Sequence, residues 1–230
     1  MGAIIRVGII GQGRSGRNIH GLTLLKMPRK YKVVAISDQL PERRQRAEQE
    51  YGCRTCATPA ALLRQKDIDL IVNAAPSRLH VPLSVKALEA GFHVLCEKPL
   101  ARKVAEVDRV VRAAQKSGKV MAVFQNRRYA PAFRQIQKVM ESGVLGRIVM
   151  IKIAYNGFAR RWDWQTMRKH YGGNLLNTGP HALDQALQLF GTDARPKVTC
   201  SMDRANSFGD AEDHVKILLQ ARGRPTVDLE

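Results

Sequence analysis

The stretch that decides the fold lies at the N-terminus, where IIRVGII at residues 4–10 runs directly into GQGRSG at residues 11–16. The first segment is a run of apolar residues typical of a buried strand, and the second is the pattern G-x-G-x-x-G. Over residues 14–26, apolar side chains recur at helical spacing. A glycine turn between a buried strand and a helix is typical of a Rossmann fold, where it binds the pyrophosphate of a dinucleotide.

Each glycine of the turn has a distinct expected task. Gly11 permits the tight turn, Gly13 lets the pyrophosphate approach the backbone, and Gly16 lets the helix lie close to the strand. The residues between them, Gln12, Arg14 and Ser15, are expected to contact the same ligand.

Asp38 is the candidate ribose ligand, because it follows the second predicted strand, residues 32–37, at 22 residues after Gly16. A carboxylate there accepts hydrogen bonds from ribose hydroxyls and repels a 2′-phosphate, which favours NAD over NADP. Arg43 and Arg44 lie near enough to weaken that preference. The alternative is a turn aspartate ahead of Pro41.

Strand and helix patterns alternate along the rest of the first half. Further strands are expected at residues 70–74, 93–96 and 120–124, and helices at 41–51, from 59 onwards, 80–90 and 104–117. This alternation predicts an α/β fold with a doubly wound parallel sheet covered by helices on both faces. The pattern changes near residue 124, which predicts a nucleotide-binding domain over residues 1–124 and a second domain over residues 125–230.

Composition limits the other function classes. The net charge of +18 is spread along the chain, with 22 Lys and Arg against 10 Asp and Glu in residues 1–124. Spread charge is typical of a solvated surface that favours anionic ligands, so nucleic-acid binding is the weaker interpretation. The sequence contains neither a transmembrane pattern nor a signal-peptide pattern, which predicts a cytoplasmic protein without membrane contact.

The four cysteines include a C-x-x-C at Cys53 and Cys56. No second Cys/His pair at ligand spacing follows, so no metal site is predicted. A redox pair is possible in principle, but two ordinary reduced thiols flanking a short strand are the preferred interpretation.

Two further segments carry a resemblance. HVLCEKP at residues 93–99 and GGNLLNTGPHALD at residues 172–184, together with the glycine turn, resemble the glucose–fructose oxidoreductase / inositol dehydrogenase / MocA family. Similar segments are NAAP at residues 73–76, His80, and QNRR at residues 125–128. The resemblance covers nearly the whole chain.

The family implies a Rossmann domain followed by an α+β domain with an open, mostly antiparallel sheet. It implies hydride transfer between a nicotinamide and a carbinol or keto carbon, usually of a sugar, cyclitol or related polyol. By resemblance, Lys98 lies beside the nicotinamide and the substrate hydroxyl, and His181 is the acid/base. The same resemblance places a further group of residues at the cofactor. These are Glu97, Asn73, Ala75, Pro76 and His80.

The chemistry of these side chains agrees with that implication. Histidine titrates near neutral pH, so it can accept and return a hydroxyl proton. A lysine can donate a hydrogen bond to a developing alkoxide. Asp184 lies three residues after His181 and either orients the imidazole or caps the core.

The chain departs from the family pattern in two respects. The best-described dehydrogenases carry Asp where this chain has Asn177, and Asn can orient a ligand but supplies no negative charge. Family members are also commonly longer, so the second domain is expected to be truncated. The family further implies a homodimer or homotetramer formed through the C-terminal sheet.

Residues 156–171 are the candidate specificity loop. Trp162 and Trp164 could stack on a sugar ring, and Arg160, Arg161 and Arg168 could bind an acidic or phosphorylated group. Arg127 is a further candidate substrate contact. The alternative is a loop anchored by its tryptophans. Two other functions stay open, an NAD-dependent glycoside hydrolase without net redox change and a non-catalytic dinucleotide-binding sensor.

Overall fold

The computed structural model describes residues 2–158 and 160–230. The chain divides into two compact units, Met1–Phe124 and Gln125–Glu230.

The first unit is built on a six-stranded sheet in the order β3-β2-β1-β4-β5-β6, with every neighbouring pair parallel. Its strands are β1 (Ile5–Ile10), β2 (Tyr31–Ser37), β3 (Arg54–Cys56), β4 (Leu70–Asn73), β5 (His93–Cys96) and β6 (Met121–Val123). This is the strand order of a Rossmann fold, and the strand order reverses between β1 and β4. The prediction of a doubly wound parallel sheet is therefore confirmed.

Helices connect these strands, and their ends follow the sequence signals. The helices are α1 (Leu22–Leu25), α2 (Pro41–Tyr51), α3 (Pro59–Leu63), α4 (His80–Glu89) and α5 (Val104–Ser117), with a 3₁₀ turn at Ser77–Leu79. Thr58 caps α3 by accepting a hydrogen bond from the N–H of Ala61 at 3.3 Å. Gly52 ends α2 in the left-handed conformation, with φ of 59°.

Two buried clusters hold the sheet between its helices. One includes Ile71, Val85, Leu88 and Val94, and the other includes Ile9 and Ile36. Apolar layers on both faces are what a parallel sheet covered on both sides requires.

Helical spacing over residues 14–26 predicts a regular α-helix after the glycine turn, and the structure differs from this. Residues Ser15–Gly21 form a π-helix, and only Leu22–Leu25 continue as α-helix. Two residues of this π-helix make close contacts inside the first unit. His20 reaches the carboxylate of Glu97, and Gly21 lies so close to the hydroxyl of Tyr51 that a Cβ would overlap it. A π-turn is a common feature of functional sites in helices.

The second unit contains a four-stranded mixed sheet in the order β7-β10-β9-β8. Its strands are β7 (Met150–Ile153), β8 (Lys197–Asp203), β9 (His214–Gln220) and β10 (Thr226–Leu229). Two of its three pairings are antiparallel, and β10 pairs with β7 in parallel. The open, mostly antiparallel sheet expected from the resemblance is therefore present.

Three helices accompany this sheet: α6 (Pro131–Glu141), α7 (Asn174–Asn177) and α8 (Gly179–Phe190). Phe190 on α8 packs in one cluster with Ile217, Leu219 and Leu229 of the sheet. The candidate specificity loop, residues 156–171, contains two 3₁₀ turns, Trp164–Thr166 and Arg168–His170, and another lies at Asn126–Tyr129.

Across residues 2–158 and 160–230, none of the helices combines the length and apolar content needed to cross a bilayer. Within the same residues, no group of three or more His, Cys, Asp or Glu side chains is arranged to hold a metal ion.

Candidate functional site

The glycine turn lies where β1 ends, beside the end of β4. Gly11 has φ of +90°, and a Cβ on it would lie 2.6 Å from the carbonyl oxygen of Ala74. A Cβ on Gly16 would overlap the carbonyl oxygen of Gly11. Gly13 is different, because its nearest neighbour would be the Arg43 guanidinium at 3.8 Å. The turn therefore needs two glycines for its own geometry and leaves open space at the third, where a phosphate can approach the backbone.

The first residue between the glycines is also unusual. Gln12 is 1% exposed, and neither its side-chain nitrogen nor its side-chain oxygen has a hydrogen-bond partner within residues 2–158 and 160–230. Buried amides are almost always satisfied. An unsatisfied amide beside the turn fits a site that is completed by a polar ligand. Arg14 is exposed and Ser15 half-buried at the start of the π-helix.

Asp38 follows β2 and is 8% exposed. One carboxylate oxygen accepts from the N–H of Gln12 at 2.7 Å, and the other accepts from the N–H of Leu40 at 3.0 Å. The Arg43 guanidinium lies 3.5 Å from the first of these oxygens. Arg44 instead donates to the carbonyl oxygen of Asp38 at 2.9 Å. Asp38 is thus tied to the glycine turn, and its charge is partly offset by Arg43.

The segment after β4 is organised by two buried side chains. Asn73 is fully buried; it donates to the carbonyl of His80 at 3.0 Å and accepts from the N–H of Ala75 at 3.4 Å. The ring nitrogens of His80 face the carbonyl oxygens of Pro99 at 2.6 Å and Ala75 at 2.8 Å. Burial lowers the pKa of His80, although both carbonyl oxygens pull in the opposite direction.

These contacts change what is expected of two predicted cofactor ligands. His80 is 2% exposed, and both of its nitrogens are committed to backbone oxygens. Asn73 has the same interior role. Both side chains contact the backbone of Ala75, and His80 also contacts that of Pro99, whereas Ala75 is half-buried and Pro76 is exposed. Ala75 and Pro76 are therefore the two positions of this segment that remain accessible to a ligand.

Glu97 follows β5 and is 6% exposed. Its carboxylate lies 2.9 Å from Nε2 of His20, whose ring packs on Phe124 with centroids 4.6 Å apart. Burial would raise the pKa of Glu97, but the hydrogen bond from His20 and the nearby charges of His20, Lys98 and His80 outweigh it, so the pKa lies below its usual value. A carboxylate beside the half-buried Lys98 is therefore anionic at neutral pH.

In the second unit, His181 lies in the first turn of α8 and is half-buried. Its Nδ1 is 3.2 Å from the side-chain oxygen of Gln125, whose side-chain nitrogen donates to the carbonyl of Pro180 at 3.1 Å. Because Pro180 fixes the amide orientation, Nδ1 carries the ring proton. In the neutral ring the lone pair is then on Nε2, the nitrogen that can act as a base.

Asp184 forms a bidentate ion pair with Arg128 at 2.6 to 3.0 Å, which anchors the 3₁₀ turn at Asn126–Tyr129, and Gln125 contacts the imidazole of His181. Asn177 accepts a hydrogen bond from the side chain of Gln165 at 3.1 Å.

The candidate specificity loop carries exposed aromatic and cationic side chains. Trp162 is 68% exposed and stacks on Phe208 with centroids 3.9 Å apart. Arg161 pairs with Asp163 at 2.6 Å. The backbone N–H of Arg168 donates to Asp210, and Arg127 is exposed. Trp162 thus forms an exposed aromatic surface together with Phe208, and Asp163 partly neutralises the charge of Arg161.

Sequence reasoning missed His20, Gln125 and Gln165 as supporting residues. Their partners are 77, 56 and 12 positions away. The sequence gives only indirect signals for two of them. His20 lies four residues after Gly16, and Gln125 is the first residue of the QNRR segment.

Comparison with known proteins finds two family models that together match most of the chain. The family model described as "Oxidoreductase family, NAD-binding Rossmann fold" matches residues 5–125, and the "GFO/IDH/MocA C-terminal domain" matches residues 133–230. Two curated relatives are the oxidoreductase YdgJ of Escherichia coli (strain K12) and scyllo-inositol 2-dehydrogenase (NADP(+)) IolW of Bacillus subtilis (strain 168). They are 31% identical over 191 residues and 30% identical over 190 residues.

The match covers 81% of this chain in both cases but only 54% and 52% of the two relatives, so the chain spans about half of their length. A solved structure of the WlbA dehydrogenase from Bordetella pertussis, in complex with NADH and UDP-GlcNAcA, superposes with a TM-score of 0.87 at 26% identity. That superposition covers 99% of this chain and 71% of the other. The chain belongs to the GFO/IDH/MocA oxidoreductase family, and its first unit is that family's NAD-binding Rossmann fold.

Proposed function

We propose that this chain transfers a hydride between a nicotinamide dinucleotide and a carbinol or keto carbon of a sugar, cyclitol or related polyol. The observation that carries the proposal is the glycine turn with open space at Gly13, joined to Asp38 by a 2.7 Å hydrogen bond. The buried, unsatisfied amide of Gln12 supports the same ligand, since a bound dinucleotide supplies polar partners.

In this proposal the pyrophosphate rests on Gly11, Gly13 and Gly16, with Gln12, Arg14 and Ser15 around it. Asp38 accepts hydrogen bonds from the adenosine ribose, which favours NAD over NADP. Ala75 and Pro76 contact the dinucleotide, and Asn73, His80 and Glu97 hold the segments that surround it.

The bound oxidised nicotinamide supplies a two-electron acceptor for the hydride that leaves the carbinol carbon. Lys98 donates a hydrogen bond to the oxygen on which negative charge develops. His181 accepts the hydroxyl proton at Nε2, and Asn177 orients the substrate. The carbinol thereby loses a hydride and a proton and becomes a carbonyl; the reverse direction returns both.

The exposed side chains of the specificity loop support a substrate with a ring and an acidic group. Trp162 offers an aromatic face, and Arg161, Arg168 and Arg127 offer charge. Of the proteins named above, IolW is by its name a scyllo-inositol 2-dehydrogenase, and the WlbA dehydrogenase was solved with UDP-GlcNAcA.

The test is a panel of sugars, inositols, uronic acids and keto-sugars with each of NAD(H) and NADP(H), followed by nicotinamide absorbance. Turnover on a polyol that is lost in Lys98→Ala and His181→Ala supports the proposal. Bound NADH without turnover on any substrate would favour the sensor function. Substrate cleavage without net NADH would favour the glycoside hydrolase.

We further propose that the sheet of the second unit joins copies of the chain. All seven residues of its edge strand β8 are exposed, including Val198 at 58% and Met202 at 53%. An open strand edge is a template for pairing with another chain. Light scattering after gel filtration measures the assembly, and a monomer at micromolar concentration would contradict this part of the proposal.

A further inference from the structure

The buried pair of His20 and Glu97 joins two segments that the proposed function uses separately. His20 belongs to the π-helix that follows the glycine turn, and Glu97 directly precedes Lys98. Their side chains meet at 2.9 Å, and both are 5 to 7% exposed. We propose that His20 is a positioning residue for Lys98: through the Glu97 carboxylate it holds the Lys98 segment against the helix of the glycine turn. This inference rests on the proposed function.

The first argument concerns how the segment is held. The backbone N–H of Glu97 donates to the carbonyl of Asn73 at 3.0 Å, and the carbonyl of Pro99 lies 2.6 Å from Nδ1 of His80. These contacts fix the backbone on either side of Lys98 from the β4 side. His20 supplies a side-chain attachment on Glu97 from the glycine-turn side. Without it, the Glu97 side chain would be buried with one oxygen unpaired.

The second argument concerns charge. The groups that act on Glu97 are His20, Lys98 and His80, and together they keep the carboxylate ionised although it is buried. An unpaired buried carboxylate takes up a proton instead, because desolvation penalises the charged form. Loss of His20 would therefore remove the attachment and also one of the groups that keep Glu97 ionised next to the Lys98 ammonium.

The third argument concerns the ring itself. The imidazole of His20 packs on Phe124 with an interplanar angle of 59°. A packed ring is held in one orientation, so its Nε2 is presented to Glu97 and does not swing to solvent. This is the arrangement expected of a residue that locates its partner.

Three variants separate positioning from simple packing. His20→Phe keeps an aromatic ring against Phe124 and removes the hydrogen bond. His20→Gln keeps a side-chain donor that can reach Glu97. Arg17→Gln is the matched control, because it breaks another ion pair of the same π-helix, that with Glu50 at 2.5 Å, without contact to Glu97.

We expect His20→Phe to lower kcat by about tenfold or more, as small displacements of catalytic groups do. The dissociation constant for NADH, measured by fluorescence, should change by less than about threefold, because the glycine turn is intact. His20→Gln should recover most of the rate, and Arg17→Gln should leave kcat unchanged. Equal losses in His20→Phe and His20→Gln, or an unchanged kcat in His20→Phe, would overturn the proposal.

A readout independent of turnover separates this inference from the proposed function. Hydrogen–deuterium exchange of the peptide at residues 93–100 should accelerate about tenfold in His20→Phe and stay at the wild-type rate in His20→Gln and Arg17→Gln. If no substrate is turned over, the proposed function fails while the exchange result still decides the positioning. Unchanged exchange in His20→Phe would refute it.

Discussion

The backbone N–H of Gln12 donates to the carboxylate of Asp38 at 2.7 Å, so the acid at the end of β2 also clamps the glycine turn. The same carboxylate oxygen lies 3.5 Å from the guanidinium of Arg43. Asp38 therefore supports the turn, and the proposed function gives it a second task, the choice between dinucleotides; substitution can separate the two.

Asp38→Asn keeps an acceptor oxygen for Gln12 but removes the charge, whereas Asp38→Ala removes both. We expect both variants to raise the affinity for NADPH relative to NADH by about tenfold or more, equal to about 1.4 kcal/mol, because the repulsion of a 2′-phosphate is gone while Arg43 remains. Asp38→Ala should also lose about 1–3 kcal/mol of stability relative to Asp38→Asn, since the buried N–H of Gln12 is left without an acceptor, whereas Asn gives up only the second acceptor, the one facing the N–H of Leu40. Fluorescence titrations with both dinucleotides and thermal melts measure the two effects. An unchanged affinity ratio in both variants would contradict the ribose role of Asp38.

Two variants, Gly13→Ala and Gly16→Ala, separate the glycine that leaves space for a phosphate from the glycine that the turn needs for its own geometry. A Cβ at Gly16 would overlap the Gly11 carbonyl, so Gly16→Ala should destabilise the first unit and lower Tm. A Cβ at Gly13 meets nothing nearer than 3.8 Å, so Gly13→Ala should keep Tm and weaken NADH binding instead. We expect a loss of about tenfold or more in affinity. Wild-type NADH binding by Gly13→Ala would show that no phosphate rests there.

The sequence predicts those parts of the candidate site whose residues lie close together along the chain. Gly11, Gly13 and Gly16 lie within six residues, and the apolar run before them fixes the strand that presents them. The order of helices and strands followed from apolar periodicity and from glycine ends such as Gly52.

The parts that the sequence did not predict depend on contacts between distant segments. His20 and Glu97 are 77 residues apart, and His181 and Gln125 are 56 apart, so no local pattern identifies either pair. For the same reason the sequence predicts His80 at the cofactor, whereas the structure buries its ring between the carbonyl oxygens of Ala75 and Pro99.

The cysteines should differ strongly in reactivity. Burial raises the pKa of Cys53 to about 11 and that of Cys96 to about 12, so neither thiol forms appreciable thiolate at pH 8. Cys200 is exposed. We expect a thiol reagent such as DTNB to label Cys200 within minutes and to reach Cys53 and Cys96 only after unfolding. A fast reaction lost in Cys200→Ser identifies the exposed thiol, and rapid labelling of Cys53 would reopen the redox interpretation of the C-x-x-C.

Asp69 should contribute to the acid sensitivity of the first unit. The hydrogen bonds from the side chain and backbone of Arg6, at 2.7 to 3.0 Å, lower the pKa of Asp69 to about 2. An unfolded aspartate has a pKa of about 3.9. Its stabilising effect is thus complete above about pH 4 and is lost as the pH falls towards 2. Asp69→Asn should flatten the pH dependence of the unfolding free energy in that window, and Asp108→Asn, on the exposed side of α5, should not. An unaltered slope in Asp69→Asn would show that the ion pair with Arg6 does not persist in solution.

Gln125 contacts Nδ1 of His181, the residue that the proposed function uses as the base. Its side-chain oxygen accepts from Nδ1 because its nitrogen is committed to the carbonyl of Pro180. Gln125→Leu removes this orientation at similar volume, so we expect kcat on the substrate identified by the panel to fall about tenfold with a smaller change in KM. Arg128→Lys is the matched control, since it perturbs the ion pair with Asp184 in the same 3₁₀ turn and leaves the imidazole contact intact. A Gln125→Leu variant with full kcat, or one no slower than Arg128→Lys, would mean that the tautomer of His181 is set by another group.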